Sequence, residues 1–103
     1  MKILITAGPT RERIDAVRFI TNRSTGKMGY AIAEAAVEAG HDVTLVSGPT
    51  SLNIPQHLMF IPVESAAEMA EAVKDYAPES DAVIMTAAVA DYRPVEIAPG
   101  KIK

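Results

Sequence analysis

The stretch Ile20-Thr-Asn-Arg-Ser-Thr-Gly-Lys-Met-Gly29 connects a predicted strand to a predicted helix. Before it come an apolar segment, Lys2-Ile-Leu-Ile-Thr-Ala7, and a turn at Gly8-Pro9-Thr10. After it comes an alanine-rich helical pattern from Tyr30 to Ala39. A strand, a glycine-containing loop and a helix start together form the arrangement in which backbone N–H groups and the helix dipole meet a phosphate. The stretch therefore predicts an α/β fold with an anion site at this loop.

The charge distribution supports the same prediction. Residues 8–29 contain five of the ten lysines and arginines of the chain but only two carboxylates. The chain has a net charge of −3, so this segment is positive within an acidic protein. A solvated basic loop that merely leads into a helix is the alternative interpretation.

Two standard phosphate-binding motifs are absent from this loop. A dinucleotide fingerprint needs G-x-G-x-x-G directly after the strand, whereas Gly8 stands alone and the pair Gly26 and Gly29 follows much later. A P-loop needs a glycine five positions before the Gly-Lys pair and a Ser or Thr after it. The sequence has Thr21 and Met28 there, so the loop is neither motif.

Length and composition limit the classes of protein. A chain of 103 residues forms at most one small domain. It has no cysteine, which excludes disulfides and thiolate metal sites and fits a reducing, cytoplasmic location. No apolar run approaches the ~20 residues of a membrane span, and the mild acidity argues against a nucleic-acid partner.

Four strands and two helices are predicted. Proline at position 62 places the third strand at a sheet edge, where a missing N–H is tolerated. Gly40 ends the first helix as a left-handed C′ residue, and the capping box Ser65-x-x-Glu68 begins the second, which Pro78 ends. The predicted strands are 3–6, 42–47, 59–63 and 82–86, and the predicted helices cover about 27–39 and 65–77.

Right-handed crossovers between parallel strands favour the spatial order 3-2-1-4 with one helix on each face. This is half of a Rossmann-like, three-layer α/β/α fold. Ligands of such sheets bind where the strand order reverses, here between the first and fourth strands. The segments 8–28 and 87–103, both predicted to lack regular structure, leave these strands and converge on one crevice.

The segment after the fourth strand has its own chemistry. Asp91 is placed to accept hydrogen bonds from ribose hydroxyls or to hold a cation on phosphates, although it fits an Asx-turn equally well. Lys101 and Lys103 add positive charge at the chain's end, where a solvated tail is the alternative. His41 and His57 have no partner at ligand spacing and are interpreted as surface residues.

Four motifs lie at residues 5–12, 17–29, 46–49 and 87–94. They closely resemble those of bacterial phosphopantothenoylcysteine synthetase, the synthetase domain of a bifunctional flavoprotein of coenzyme A biosynthesis. The sequence differs mildly from the family at Ala16, where proline is usual, and at Thr25, where serine is usual. The resemblance implies that residues 1–103 are the nucleotide-binding portion, the N-terminal half of a domain incomplete at its C-terminus.

The resemblance implies a ligase that joins 4′-phosphopantothenate to L-cysteine through an acyl cytidylate formed from CTP. It implies that Asn22 holds and polarises the acyl group and that Lys101 neutralises charge at the α-phosphate. It also implies Mg²⁺, with Asp91 as a candidate ligand, a homodimer of the full domain, and FMN only in a fused decarboxylase domain upstream. The nucleotide contacts implied are Gly8, Ser24, Gly26, Lys27, Met28, Gly29, Met85, Thr86, Ala87, Ala88, Asp91 and Lys101.

Two other functions remain open from the residues. One is half of an NAD(P)-dependent oxidoreductase, although neither a fingerprint nor a Tyr-x-x-x-Lys pair is present. The other is a non-catalytic nucleotide-binding fragment. The resemblance implies that the 103-residue chain alone is inactive, because the lysine motif is cut at its end.

Overall fold

The computed structural model describes residues 1–13, 19–21 and 25–87. They form six strands, two α-helices and one 3₁₀ turn, Ala77–Glu79. The strands are β1 (Lys2–Ala7), β2 (Arg11–Arg13), β3 (Phe19–Thr21), β4 (Asp42–Ser47), β5 (Met59–Pro62) and β6 (Ala82–Met85). The helices are α1 (Lys27–Glu38) and α2 (Ala66–Tyr76).

The main sheet contains four parallel strands in the order β5-β4-β1-β6. Lys2 pairs with Asp42 on one side of β1, and Ile3 pairs with Ala82 on the other. This is the predicted order 3-2-1-4 of the four main strands, so the Rossmann-like α/β prediction is confirmed. Pro62 ends β5, which is an edge strand as predicted.

The core has two layers because successive side chains of β1 point to opposite faces of the sheet. Ile3 and Ile5 pack with Tyr30 and Ala33 of α1. Leu4 packs with Met69 of α2 on the other face. One helix therefore covers each face, and the carboxyl end of β1 lies buried between the two layers.

The end of α1 and the start of α2 form as the sequence predicts. Gly40 has φ +92°, and its N–H donates to Val37 O while His41 N–H donates to Ala36 O, which is the Schellman pattern. At the start of α2, Ser65 Oγ accepts from Glu68 N–H at 3.1 Å in a complete capping box. No helix within the described ranges has the length and apolarity that crossing a membrane requires.

The prediction that residues 8–28 lack regular structure is wrong. β2 and β3 form an antiparallel pair in which Arg11 lies opposite Thr21 and Arg13 opposite Phe19. The strands have three residues each, and short isolated hairpins are marginal in water. The hairpin β2–β3 is supported by contacts with the junction between β5 and α2, where Arg11 N–H donates to Glu64 O at 2.8 Å.

One face of strand β6 is left uncovered by the helices, although the strand is apolar throughout. Its register places Val83 opposite Leu4 and Met85 opposite Thr6, on the face that α2 covers. α2 packs over β4 and β1 rather than β6, so Val83 is 40% exposed and Met85 is 67% exposed. Among the described strands, β6 is therefore an edge strand with an open apolar face.

Candidate nucleotide site

Gly8 and Gly26 meet directly beyond the end of β1. Their φ angles are +80° and +82°, a conformation that L side chains rarely adopt. A Cβ added to Gly26 would lie 3.2 Å from Gly8 Cα and 3.0 Å from Thr50 Cγ2. A Cβ added to Gly8 would also lie 3.0 Å from Thr50 Cγ2. Both glycines are buried, so the two loops and Thr50 pack closely, without side-chain bulk, at the edge of the predicted crevice.

Gly29 brings the first turn of α1 against the ends of both central strands. A Cβ added there would lie 2.5 Å from Thr86 Oγ1 and 3.2 Å from Ala7 Cα. Thr86 in turn is fixed to β1, because Thr6 O accepts from Thr86 N–H at 3.0 Å and from Thr86 Oγ1 at 2.8 Å. The point where the strand order reverses is thus built from Gly29, Ala7 and Thr86.

The N-terminus of α1 has a favourable electrostatic environment for an anion. Its N-cap is Gly26, which has no side chain, and its first turn contains no acidic residue. Thr25 Oγ1 accepts from Lys27 N–H at 3.3 Å. Lys27 is exposed in that turn. The partial positive charge of a helix N-terminus attracts phosphate, and here no carboxylate of the first turn competes for it.

The start of α2 differs, because carboxylates already occupy it. Ala66 N–H donates to Glu12 Oε2 at 3.0 Å, and Glu68 Oε1 accepts from Glu64 N–H at 2.6 Å. The positive charge of Arg11 is likewise paired, with 2.9 Å between its Nε and Glu64 Oε2. Arg11 therefore contributes less to the predicted anion site than its sequence position suggests.

The structure brings some of the predicted residues together and separates others. Gly8, Gly26, Gly29 and Thr86 surround the end of β1. The side chain of Met85 lies on the face of the sheet that α2 covers, where it borders a cavity of about 770 Å³ beside α2. Ala87 packs against the core cluster of Leu4 on that same face, so neither of these two side chains faces the crevice.

Several predicted site residues lie outside the described residues. They are Asn22, Ser24, Ala88, Asp91 and Lys101. Within the ranges that the structure does describe, no group of three or more His, Cys, Asp or Glu side chains is placed to hold a metal ion.

Sequence reasoning missed a hydroxyl network at the end of β4. Tyr30 Oη and Ser47 Oγ are 2.7 Å apart, and Ser47 Oγ donates to Gly48 O at 2.7 Å. Dinucleotide-binding folds place an acidic residue for the ribose about 20 residues after the glycine motif, which here is the position of Ser47. A buried serine with its hydroxyl engaged cannot take that role, which argues against the NAD(P)-dependent alternative.

The chain as a whole matches a known protein family. A family model described as "DNA/pantothenate metabolism flavoprotein C-terminal domain" matches residues 1–103. The chain belongs to this family. The resemblance to the synthetase part of the bifunctional coenzyme A protein is thereby confirmed.

Individual relatives align with most of the length of this chain. The coenzyme A biosynthesis bifunctional protein CoaBC of Bacillus subtilis is 61% identical over 102 residues, 98% of this chain and 25% of that protein. The crystal structure of a CoaBC C-terminal domain aligns with TM-score 0.87 and 65% identity, covering 91% of this chain and 48% of that one. The Streptococcus pneumoniae DNA/pantothenate metabolism flavoprotein aligns with TM-score 0.87 and 36% identity, covering 92% and 42%.

The family member described here spans only part of these relatives. It corresponds to about a quarter of the Bacillus protein and about half of the solved C-terminal domain.

Proposed function

We propose that this family member supplies the nucleotide-binding portion of a ligase that joins 4′-phosphopantothenate to L-cysteine in coenzyme A biosynthesis. The substrate carboxylate attacks the α-phosphorus of CTP and expels pyrophosphate, giving an acyl cytidylate. The cysteine amine then attacks the acyl carbon, and CMP leaves. The reaction takes place in the cytoplasm.

The observation that carries this proposal is the convergence of Gly8, Gly26, Gly29 and Thr86 at the reversal of the strand order. A triphosphate beside these glycines would lie close to the backbone, at the start of a helix that has no acidic residue in its first turn. Phosphoryl transfer depends mainly on positioning and charge stabilisation rather than on a protein nucleophile. Because the family match spans residues 1–103, the ligase is favoured over other nucleotide-binding functions.

We assign the reacting groups to residues that flank this crevice in sequence. Asn22 donates from its amide to the developing oxyanion of the acyl group, and Lys101 neutralises the α-phosphate during attack. Asp91 is the candidate residue to hold Mg²⁺, which would neutralise triphosphate charge when bound. The longer protein is proposed to form a homodimer and to carry an FMN-dependent decarboxylase domain upstream.

The test uses the longer protein with single substitutions. We expect Asn22→Asp to release pyrophosphate but to stall at cysteine ligation, since a carboxylate repels the oxyanion that the amide stabilises. We expect Lys101→Gln to slow pyrophosphate release about 10²–10³-fold even without cysteine, the effect of losing one electrostatic donor.

Lys74→Gln is the matched control for Lys101→Gln, because Lys74 lies on the exposed surface of α2. It removes the same charge and should leave both steps unchanged. Wild-type pyrophosphate release by Lys101→Gln, or unimpaired ligation by Asn22→Asp, would remove that residue from the mechanism. Absence of any CTP-dependent pyrophosphate release in the unmodified protein would refute the ligase.

The 103-residue chain alone is proposed to bind CTP weakly without turnover, which corresponds to the non-catalytic alternative. It retains the glycines at the end of β1, but it corresponds to only about half of the solved C-terminal domain. Calorimetry with CTP beside a coupled pyrophosphate assay measures both properties. Steady turnover by this chain would contradict the proposal.

A further inference from the structure

Strand β2 is fastened to the β5–α2 junction by three hydrogen bonds. Arg11 N–H donates to Glu64 O at 2.8 Å, and Arg11 Nε donates to Glu64 Oε2 at 2.9 Å. Ala66 N–H donates to Glu12 Oε2 at 3.0 Å. Both backbone and side-chain groups take part, so this contact fixes the orientation of β2 as well as its position. We call these four residues the junction clamp.

The pairing of β2 with β3 extends this constraint to β3. In the antiparallel register, Arg11 lies opposite Thr21 and Glu12 lies opposite Ile20. Thr21 is the residue immediately before Asn22. The residues of β2 that are held by the clamp are therefore the same residues that pair with the backbone entering Asn22.

The clamp is anchored on a rigid helix start. The capping box of Ser65 and Glu68 satisfies N–H groups around the first turn of α2, and the Glu12 carboxylate accepts from Ala66 N–H beside it. A carboxylate at a helix N-terminus forms a charge-assisted hydrogen bond that the helix dipole strengthens. Glu12 is thus held by an element that is itself fixed by packing against the sheet.

The clamp contributes more to local geometry than to global stability. The side chains of Arg11 and Glu64 are 38% and 32% exposed, and exposed ion pairs add little to the free energy of unfolding. A hairpin of two three-residue strands, however, cannot hold its own position. Loss of the clamp should therefore displace the hairpin without unfolding the domain.

We propose that Arg11 and Glu12 are positioning residues that fix the backbone entering Asn22. The proposal rests on the proposed function only in taking Asn22 as the residue that holds the acyl group. Neither Arg11 nor Glu12 needs to touch a substrate. Displacement of a catalytic group by about 1 Å costs as much as 10²-fold in rate, so a shifted hairpin lowers kcat while leaving the glycine crevice for CTP intact.

The experiment compares Glu12→Ala with Glu12→Gln in the longer protein. We expect Glu12→Ala to lower kcat for cysteine ligation about tenfold or more, with the KM for CTP changed less than about twofold. Glu12→Gln should recover most of the loss, because its amide oxygen still accepts from Ala66 N–H. Glu71→Gln, in an exposed pair with Lys74 at 3.9 Å, is the matched control and should have no effect.

Hydrogen exchange measured on the same proteins does not depend on activity. Glu12→Ala should speed exchange in peptides covering 19–21 and 64–66, while peptides covering β4 stay as protected as in the unmodified protein. A purely structural role would instead lower the unfolding temperature and expose β4 as well, leaving kcat per folded molecule unchanged.

The outcomes separate the two proposals. Unchanged kcat for Glu12→Ala in an active enzyme overturns the positioning role, whatever the exchange data show. If the unmodified protein catalyses no ligation, the proposed function fails. The exchange of residues 19–21 then decides alone whether the clamp holds this backbone: faster exchange in Glu12→Ala supports it, and unchanged exchange overturns it.

Discussion

Substituting Gly29 with alanine tests whether the crevice depends on the close approach of α1 to the strand ends. The new Cβ would lie 2.5 Å from Thr86 Oγ1 and 3.2 Å from Ala7 Cα, whereas favourable contacts between carbon atoms lie at about 3.5–4.0 Å. Ala7 Cβ would lie nearest to the added atom, so α1 has to move outward from β1, and the Thr86 hydroxyl is displaced from its hydrogen bond to Thr6 O.

The expected magnitude combines these two effects. Overpacking of a well-packed site costs about 1–3 kcal/mol, and loss of the Thr86 hydroxyl bond costs about 0.5–1.5 kcal/mol. The higher helix propensity of alanine stabilises the folded variant by at most about 1 kcal/mol. We expect a net loss of about 2 kcal/mol in the free energy of unfolding, accompanied by weaker CTP binding because the first turn of α1 shifts.

Urea denaturation measures the first effect and calorimetry with CTP the second. The control is Gly40→Ala, since Gly40 has φ +92° but no atom within 4 Å of an added Cβ. It should cost about 1–2 kcal/mol through its left-handed backbone alone and leave CTP binding unchanged. If Gly29→Ala were as stable as the unmodified protein and bound CTP equally well, the steric argument would be wrong.

Three further substitutions test individual contacts. Tyr30→Phe removes the hydroxyl that contacts Ser47 and should lower the free energy of unfolding in urea by about 1 kcal/mol; no change would mean that the network is dispensable. Ser65→Ala breaks the capping box and should cost about 1 kcal/mol in the same assay, unless Glu12 alone suffices to cap α2. Thr86→Val removes the bond to Thr6 O and should weaken CTP binding in calorimetry, whereas Thr86→Ser keeps the hydroxyl and should bind normally; equal binding by both would exclude a role for the hydroxyl.

Most of the fold follows from local signals in the sequence. Pro62 places β5 at an edge because proline lacks a backbone donor, and the crossover rule then leaves little choice of strand order. Gly40 and the Ser65 capping box mark helix ends through backbone and side-chain chemistry that acts within a few residues. Such features depend on neighbours in sequence, so they are readable without a structure.

The hairpin β2–β3 was not predictable in this way. Arg11–Arg13 is a charged tripeptide with no apolar alternation, and the groups that support it, at Glu64 and Ala66, are 53 and 54 residues away. An anion site at the loop 20–29 was predicted from the order of strand, loop and helix and from charge, whereas Thr50 was missed because it lies in a proline-containing loop with no pattern of its own. The roles of Asn22, Asp91 and Lys101 rest on the resemblance alone.

The junction clamp also has a consequence for the order of events during synthesis. At about 5–20 residues per second, the ribosome adds Glu64 and Ala66 roughly 3–11 s after Arg11 and Glu12. Until then Arg11 and Glu12 cannot form their hydrogen bonds with Glu64 and Ala66. The clamp joins an early part of the chain to a late one, so closing this loop carries an entropic cost that local contacts do not offset. The backbone entering Asn22 therefore reaches its final position only after β5 and the first turn of α2 have been made.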